Sequence, residues 1–231
     1  MRVLKQLQGR LVVSCQAAPS PSLEDSGVLA AIAKASVAGG SAGIRADGPE
    51  NVRAIRERTG VPVVGIWKRM FPDSDVFITP RLQDALAVAE AGAEVVAMDA
   101  TSRPRPEGER LEEIVCEMKA RTNAALMADV SELGEGLRAA ELGFDCVSTT
   151  LSGYVGEPKA PADAPPDLDL VEALVNRLGE RVPVVAEGRI ASPDQAAEAL
   201  RRGAFAVVVG TAITRPQVLT RNFCEALLEA S

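Results

Sequence analysis

The chain has 231 residues, 47% of them hydrophobic and 25% charged, a balance that suits a globular protein with a sizeable core. Its 25 Lys and Arg against 32 Asp and Glu give a formal charge of -7, the wrong sign for gripping a phosphate backbone, and with 3% aromatic residues few rings can stack on bases, so no nucleic-acid partner is expected. No apolar run approaches the roughly 20 residues that span a bilayer, and "MRVLKQLQGRLVV" lacks a signal-peptide core, so no membrane partner is expected and the protein reads as cytoplasmic.

In chain order, short apolar runs alternate with helix-length stretches. The candidate strands are Leu11 to Cys15, Ala42 to Arg45, Pro62 to Ile66, Glu94 to Met98, Ala124 to Ala128, Asp145 to Thr149, Pro183 to Ala186 and Phe205 to Val209. Most are continuously apolar, as strands covered on both faces are. Gly60, Gly92, Gly143 and Gly203 each stand where a helix closes before the next strand. Pro49, Pro80 and Pro193 sit at first helical turns, the latter two preceded by Thr79 and Ser192 as expected N-caps. A strand, loop and helix unit repeated about eight times without a linker predicts the α/β class and a single (β/α)8 TIM barrel over residues 1–231, with a doubly wound open sheet as the alternative.

Connections into strands are short, whereas those leaving strands are long and polar: "KRMFPDSDVFITP", "TSRPRPEGER" and "SGYVGEPKAPADAPPDLD". That asymmetry is expected of a barrel whose active face lies at the C-terminal ends of its strands. Gly153 to Asp167 reads either as a lid or as an unstructured loop. The cysteines at 15, 116, 146 and 224 form no C-x-x-C pair and read as buried free thiols rather than a disulfide framework or zinc site. Histidine is absent, which removes histidine-based triads and histidine-containing metal sites and leaves Lys, Glu, Asp, Tyr or Cys for acid and base work.

The residues at or just beyond the strand ends are Gln16, Arg45, Lys68 with Arg69, Asp99, Asp129, Thr149 with Thr150, Glu187 with Gly188 and Arg189, and Gly210 with Thr211. Singly, each has a bland reading as a rim charge or a helix cap; on a barrel they converge on one mouth. Glu187 ends the apolar run "VVAEGRI", where a buried carboxylate would be costly unless it met a ligand or a cation. Gly188 and Arg189 after strand seven, Gly210 and Thr211 after strand eight, and Arg215 before Pro216 occupy the place where barrels hold phosphate on main-chain N–H groups. Lys68 ends "VVGIWK"; burial and its neighbour Arg69 are expected to lower its pKa and make it a base, with Glu187 as partner. Trp67 reads as packing. In the C-terminal helix, Val218, Leu219, Phe223 and Leu227 form an apolar stripe that fits packing on its own barrel at least as well as a dimer contact.

The motifs "LVVSCQA", "GIRADGPENVRAI", "VVGIWKRMFPDSDVFITP", "VVAMDATSRPRP", "LMADVS", "VSTTLSGY", "VPVVAEGRI" and "AVVVGTAITRPQ", which run over nearly the whole chain, resemble the N-acetylmannosamine-6-phosphate 2-epimerase family. The resemblance implies a barrel of the ribulose-phosphate-binding type that interconverts N-acetylmannosamine 6-phosphate and N-acetylglucosamine 6-phosphate in sialic-acid breakdown, without metal or other cofactor, with a homodimer suggested. By the same resemblance Lys68 and Glu187 would be the catalytic pair, Gln16, Arg45 and Asp129 would hold the sugar, and Gly188, Arg189, Gly210 and Arg215 would hold the phosphate; by their strand-end positions Thr150 is expected to join the sugar contacts and Thr211 the phosphate contacts. Two other readings stay open on the residues alone: a Schiff-base lyase using Lys68, and a sugar-phosphate-binding barrel without catalysis.

Overall fold

Side-chain alternation along eight short strands divides the apolar residues between two cores. A computed structural model describes residues 2–16, 23, 25–156, 158–161 and 163–230 of the chain. Eight parallel strands follow one another around a closed barrel: β1 (Leu11–Cys15), β2 (Gly43–Asp47), β3 (Val63–Ile66), β4 (Val95–Asp99), β5 (Ala125–Asp129), β6 (Cys146–Ser148), β7 (Val184–Glu187) and β8 (Ala206–Val209). Leu11 pairs with Val207 and Val13 with Val209, so β8 returns to β1 and the open-sheet alternative is excluded. The strands fall on the predicted runs, shifted by a residue or two; β2, β4, β5 and β7 extend into the polar residues that follow.

Between the strands stand α2 (Ser26–Ala38), α3 (Pro49–Thr59), α4 (Leu82–Glu90), α5 (Leu111–Arg121), α6 (Leu133–Leu142), α7 (Leu168–Leu178) and α8 (Pro193–Arg201), with α1 (Arg2–Lys5) before β1 and α9 (Thr211–Thr214) and α10 (Pro216–Glu229) after β8. One face of each strand, with Val13, Ile44, Val96, Leu126 and Val147, packs outward against this helical ring. The other face, with Val12, Val64, Val95, Met127 and Val185, fills the barrel axis, and Leu4 and Leu7 close it from below. Both faces of every strand are therefore apolar until the chain reaches the mouth.

Pro193 opens α8 behind Ser192, whose hydroxyl accepts from the Gln195 N–H, as expected. The expected cap at Thr79 is not one: α4 begins at Leu82 behind Arg81, and the Thr79 hydroxyl instead bonds across to β4. Cys15 and Cys146 are buried, but Cys116 and Cys224 are exposed, because they lie on the outward faces of α5 and α10. The stripe on α10 is divided: Val218 and Leu219 at its start are half-buried, whereas Phe223 further along is 75% exposed, and no side chain of the helix is fully buried among the described residues. No helix among those residues is long and apolar enough to cross a membrane.

Candidate active site

The inward positions that are apolar deep in the barrel become polar at its C-terminal end, and there they enclose a cavity of about 380 Å³. Gln16, Arg45, Lys68, Thr150, Glu187, Gly188, Arg189, Gly210, Thr211 and Arg215 all line it. Of the expected site residues Asp129 alone does not; it lies fully buried behind Arg45.

Arg45 is the hub. Its side chain is 1% exposed, yet it carries a guanidinium, and burial of such a charge is tolerable only with partners. Asp129 supplies a two-pronged one, at 3.1 Å to Nη1 and 2.5 Å to Nη2. Nη1 also donates to Glu187 Oε2 at 2.9 Å, which answers why the strand ends in a carboxylate. The Thr150 hydroxyl lies within hydrogen-bond distance of both acids, 2.7 Å from Asp129 and 3.0 Å from Glu187. Burial alone would lower the Arg45 pKa, but the two carboxylates outweigh it and hold the group above its ordinary value. The main chain of Glu187 is fixed as well: its N–H donates to the Thr149 hydroxyl, which in turn donates to its carbonyl. Burial raises the Glu187 pKa above that of an ordinary carboxylate, against the pull of Arg45.

Lys68 enters from the other side, since β3 and β7 stand four strands apart around a ring of eight. Its Nζ donates to Gln16 Oε1 at 2.5 Å, and Gln16 Nε2 donates to Ser14 Oγ, so β1 holds the amine by a polar chain. Its main-chain N–H donates to Asp47 Oδ1 at 2.9 Å. Burial lowers the Lys68 pKa; Asp47 and Glu187 oppose this, whereas Arg45 and Arg215 reinforce it. The expected contribution of Arg69 is corrected: its guanidinium stacks 4.7 Å from the centre of the Trp67 ring and reaches Asp84, away from the cavity.

At the β7 and β8 ends, the main-chain N–H groups of Gly188, Arg189, Gly210 and Thr211 make no hydrogen bond among the described residues. Gly188 has φ 107°, which a side chain would resist, and a Cβ on Gly210 would press on Ser14 Cβ at 3.2 Å. The Arg215 side chain also lines the cavity and, among the described residues, has no ion pair or hydrogen bond. Arg189 differs: its guanidinium donates to the carbonyls of Ser152 and Pro165 and stacks on Tyr154, so its side chain holds the loop after β6 while its main chain faces the cavity end. That loop, expected at 153–167, includes residues 157 and 162, which lie outside those described; Tyr154 within it lines the cavity.

Other strand-end residues serve the frame. Asp99 accepts from Thr101 and Arg103 in the loop after β4, and Thr149 serves the Glu187 main chain. Trp67 packs against the outer core, as expected. Sequence reasoning missed Ser14 and Asp47, although period-two counting back from Gln16 and forward from Arg45 reaches both. It also missed Phe77 and Ile78, apolar lining residues that no strand carries; the loop after β3 folds back so that Ile78 pairs antiparallel with Lys68.

The family model described as "Putative N-acetylmannosamine-6-phosphate epimerase" (NanE) matches residues 29–229. The chain is 47% identical over 225 residues to a protein of Synechococcus elongatus, covering 97% of this chain and 96% of that one, and 46% identical over 226 residues to a protein of Cutibacterium acnes, covering 98% and 97%. Both relatives carry the name "Putative N-acetylmannosamine-6-phosphate 2-epimerase". The solved structure of the N-acetylmannosamine-6-phosphate 2-epimerase from Clostridium perfringens matches with a TM-score of 0.90 at 41% identity, over 96% of this chain and 95% of that one. With the barrel, the cavity and these matches in agreement, the chain belongs to the NanE family of N-acetylmannosamine-6-phosphate epimerases.

Proposed function

We propose that the protein interconverts N-acetylmannosamine 6-phosphate and N-acetylglucosamine 6-phosphate by removing and returning the C2 proton of the ring-opened sugar. The observation that carries this reading is a lysine and a carboxylate on opposite strands of one cavity, both shifted by burial toward their neutral forms. Neutral Lys68 takes the C2 proton, and the electron pair left on carbon moves into the C1 carbonyl, forming an enolate. The charge that develops on that oxygen lies in the field of the buried Arg45 cation. A proton returned to the opposite face completes inversion. Glu187 fits two roles, direct donor of that proton or the group that opens the ring and tunes Lys68, and the raised carboxylate suits either.

The phosphate belongs at the other end of the cavity, on the free N–H groups of Gly188, Arg189, Gly210 and Thr211 and on the Arg215 guanidinium. Gln16 and Thr150 hold sugar hydroxyls, and Asp129 acts through Arg45. The activity named for the family favours this over a Schiff-base lyase or a barrel without catalysis. Two exposed thiols without disulfide partners fit a reducing compartment, the cytoplasm.

We further infer a homodimer built on α10. Phe223 and Leu228 are exposed apolar side chains, 75% and 77%, on the helix that a barrel ordinarily lays over its last strand. The place it leaves is an apolar groove of about 440 Å³ beside β8 and β1, lined by Leu11, Ala196, Leu200 and Ile213. The exposed apolar face of α10 from a second copy matches that groove in chemical character.

Lys68→Ala is expected to lower turnover of N-acetylmannosamine 6-phosphate by about 10²–10⁴-fold while inorganic phosphate still binds; turnover above about a tenth of wild type contradicts the assignment. Because the neutral amine is the active form, kcat/KM rises with pH through the Lys68 pKa, with a midpoint below 10.5. Arg215→Gln removes a positive neighbour and moves that midpoint upward; a downward shift contradicts the electrostatic account. Phe223→Asp is expected to turn a dimer into a monomer by sedimentation velocity, and a wild-type monomer at micromolar concentration contradicts the inference.

A further inference from the structure

The loop that follows β3 is tied to the barrel at Thr79. Its φ of 46° lies in the left-handed region, an outlier for a β-branched residue, and its side chain is fully buried. Such backbone persists where surrounding contacts over-determine it. The Thr79 N–H donates to the Trp67 carbonyl at 2.9 Å, and its hydroxyl accepts from the Trp67 N–H at 3.1 Å while donating to the Ala97 carbonyl at 2.7 Å. On one side the Asp99 N–H donates to the Ile78 carbonyl, and on the other the buried Arg105 donates to the carbonyls of Thr79, Pro80 and Asp99. A buried cation used on three main-chain carbonyls marks a segment whose path matters.

These contacts bracket Lys68. Trp67 precedes it in the chain, and Ile78, the residue before Thr79, pairs with it across the returning loop and lines the cavity. We propose that Thr79 is a positioning residue for Lys68: its hydroxyl, bridging the Trp67 N–H and the Ala97 carbonyl, holds the end of β3 against β4 so that Nζ stays inside the cavity beside Gln16. Removing the hydroxyl leaves the Trp67 N–H and the Ala97 carbonyl without that partner and loosens the loop over the amine. Water then reaches Lys68 and its ammonium form becomes easier to hold. The charged groups facing Lys68 are Arg45 and Asp47 from β2, Glu187 from β7 and Arg215 ahead of α10; β1 presents the neutral Gln16 and the returning loop presents Phe77 and Ile78. None of the charged groups is changed by a substitution at Thr79, so a shift in Lys68 titration reports its burial.

The kinetic part of the proposal rests on Lys68 being the base, and the test separates the two claims. Thr79→Gly deletes the hydroxyl while glycine takes the left-handed φ without strain, which protects the fold; Thr79→Val deletes it with shape retained; Thr79→Ser keeps it. For each variant, kcat and KM are measured with N-acetylmannosamine 6-phosphate, and Lys68 is titrated by pH-dependent acetylation read by peptide mass spectrometry. The expected result for Thr79→Gly and Thr79→Val is a loss of about tenfold or more in kcat with KM changed less than about threefold, and a Lys68 midpoint moved to higher pH. Thr79→Ser is expected to retain the wild-type midpoint and most of kcat. An unmoved midpoint in Thr79→Gly overturns the proposal whatever happens to activity, and so does a Thr79→Ser variant as impaired as Thr79→Gly. A wild-type rate limb that does not coincide with the Lys68 midpoint counts against Lys68 as base, and the labelling comparison still decides the place of Thr79.

Discussion

A guanidinium enclosed by the barrel wall and gripped by two carboxylates is the constraint on which the site depends. Arg45 cannot be buried alone, and leaving such a charge without its partner costs about 3–5 kcal/mol. Asp129 therefore stands behind it, Glu187 turns inward to it, and Thr150 bridges the two acids. An ion cluster of this kind is weak evidence for added stability, because well-packed apolar residues often do as well. What it gives is geometry: three strands far apart in sequence present fixed polar groups to one cavity.

The cluster also divides the labour of charge. Arg45 remains a cation because its partners outweigh desolvation, whereas Lys68 and Glu187, with less compensation, are both drawn toward neutrality. A lowered lysine and a raised carboxylate approach each other in proton affinity, the condition for moving a proton either way at modest cost. The permanent positive charge beside them opposes the ammonium and favours an enolate. A chain without histidine thus places two groups drawn toward neutrality beside one fixed charge, which is the setting the proposed proton chemistry requires.

Much of this was legible in the sequence because a parallel barrel repeats one unit. Continuous apolar runs marked the strands, glycines marked the helix ends, and polar residues at the run ends marked the mouth. The failures have physical causes. Arg69 follows Lys68 in the chain, but neighbours along an extended segment point to opposite sides, so it stacks on Trp67 while Arg45 and Arg215, distant in sequence, face the amine. Thr79 before a proline carries the pattern of a helix cap, and a long-range contact with Ala97 overrides it. Asp129 carries the strand-end signature of its neighbours, yet sequence does not reveal that Arg45 lies between it and the cavity. The α10 stripe has helical spacing, which says that a face is apolar and not which surface covers it.

The central claim is that the C2 proton passes through Lys68. It is tested most directly by following N-acetylmannosamine 6-phosphate in D₂O by proton NMR with wild-type protein, Lys68→Ala and Glu187→Gln. The account predicts that wild type forms N-acetylglucosamine 6-phosphate with deuterium at C2 and that Lys68→Ala neither converts the sugar nor exchanges its C2 proton. Glu187→Gln still exchanging the substrate proton without inversion assigns Glu187 the opposite-face donor; loss of exchange as well assigns it ring opening and the tuning of Lys68. Conversion by the wild-type protein with no deuterium at C2, or exchange at the wild-type rate in Lys68→Ala, would contradict the account.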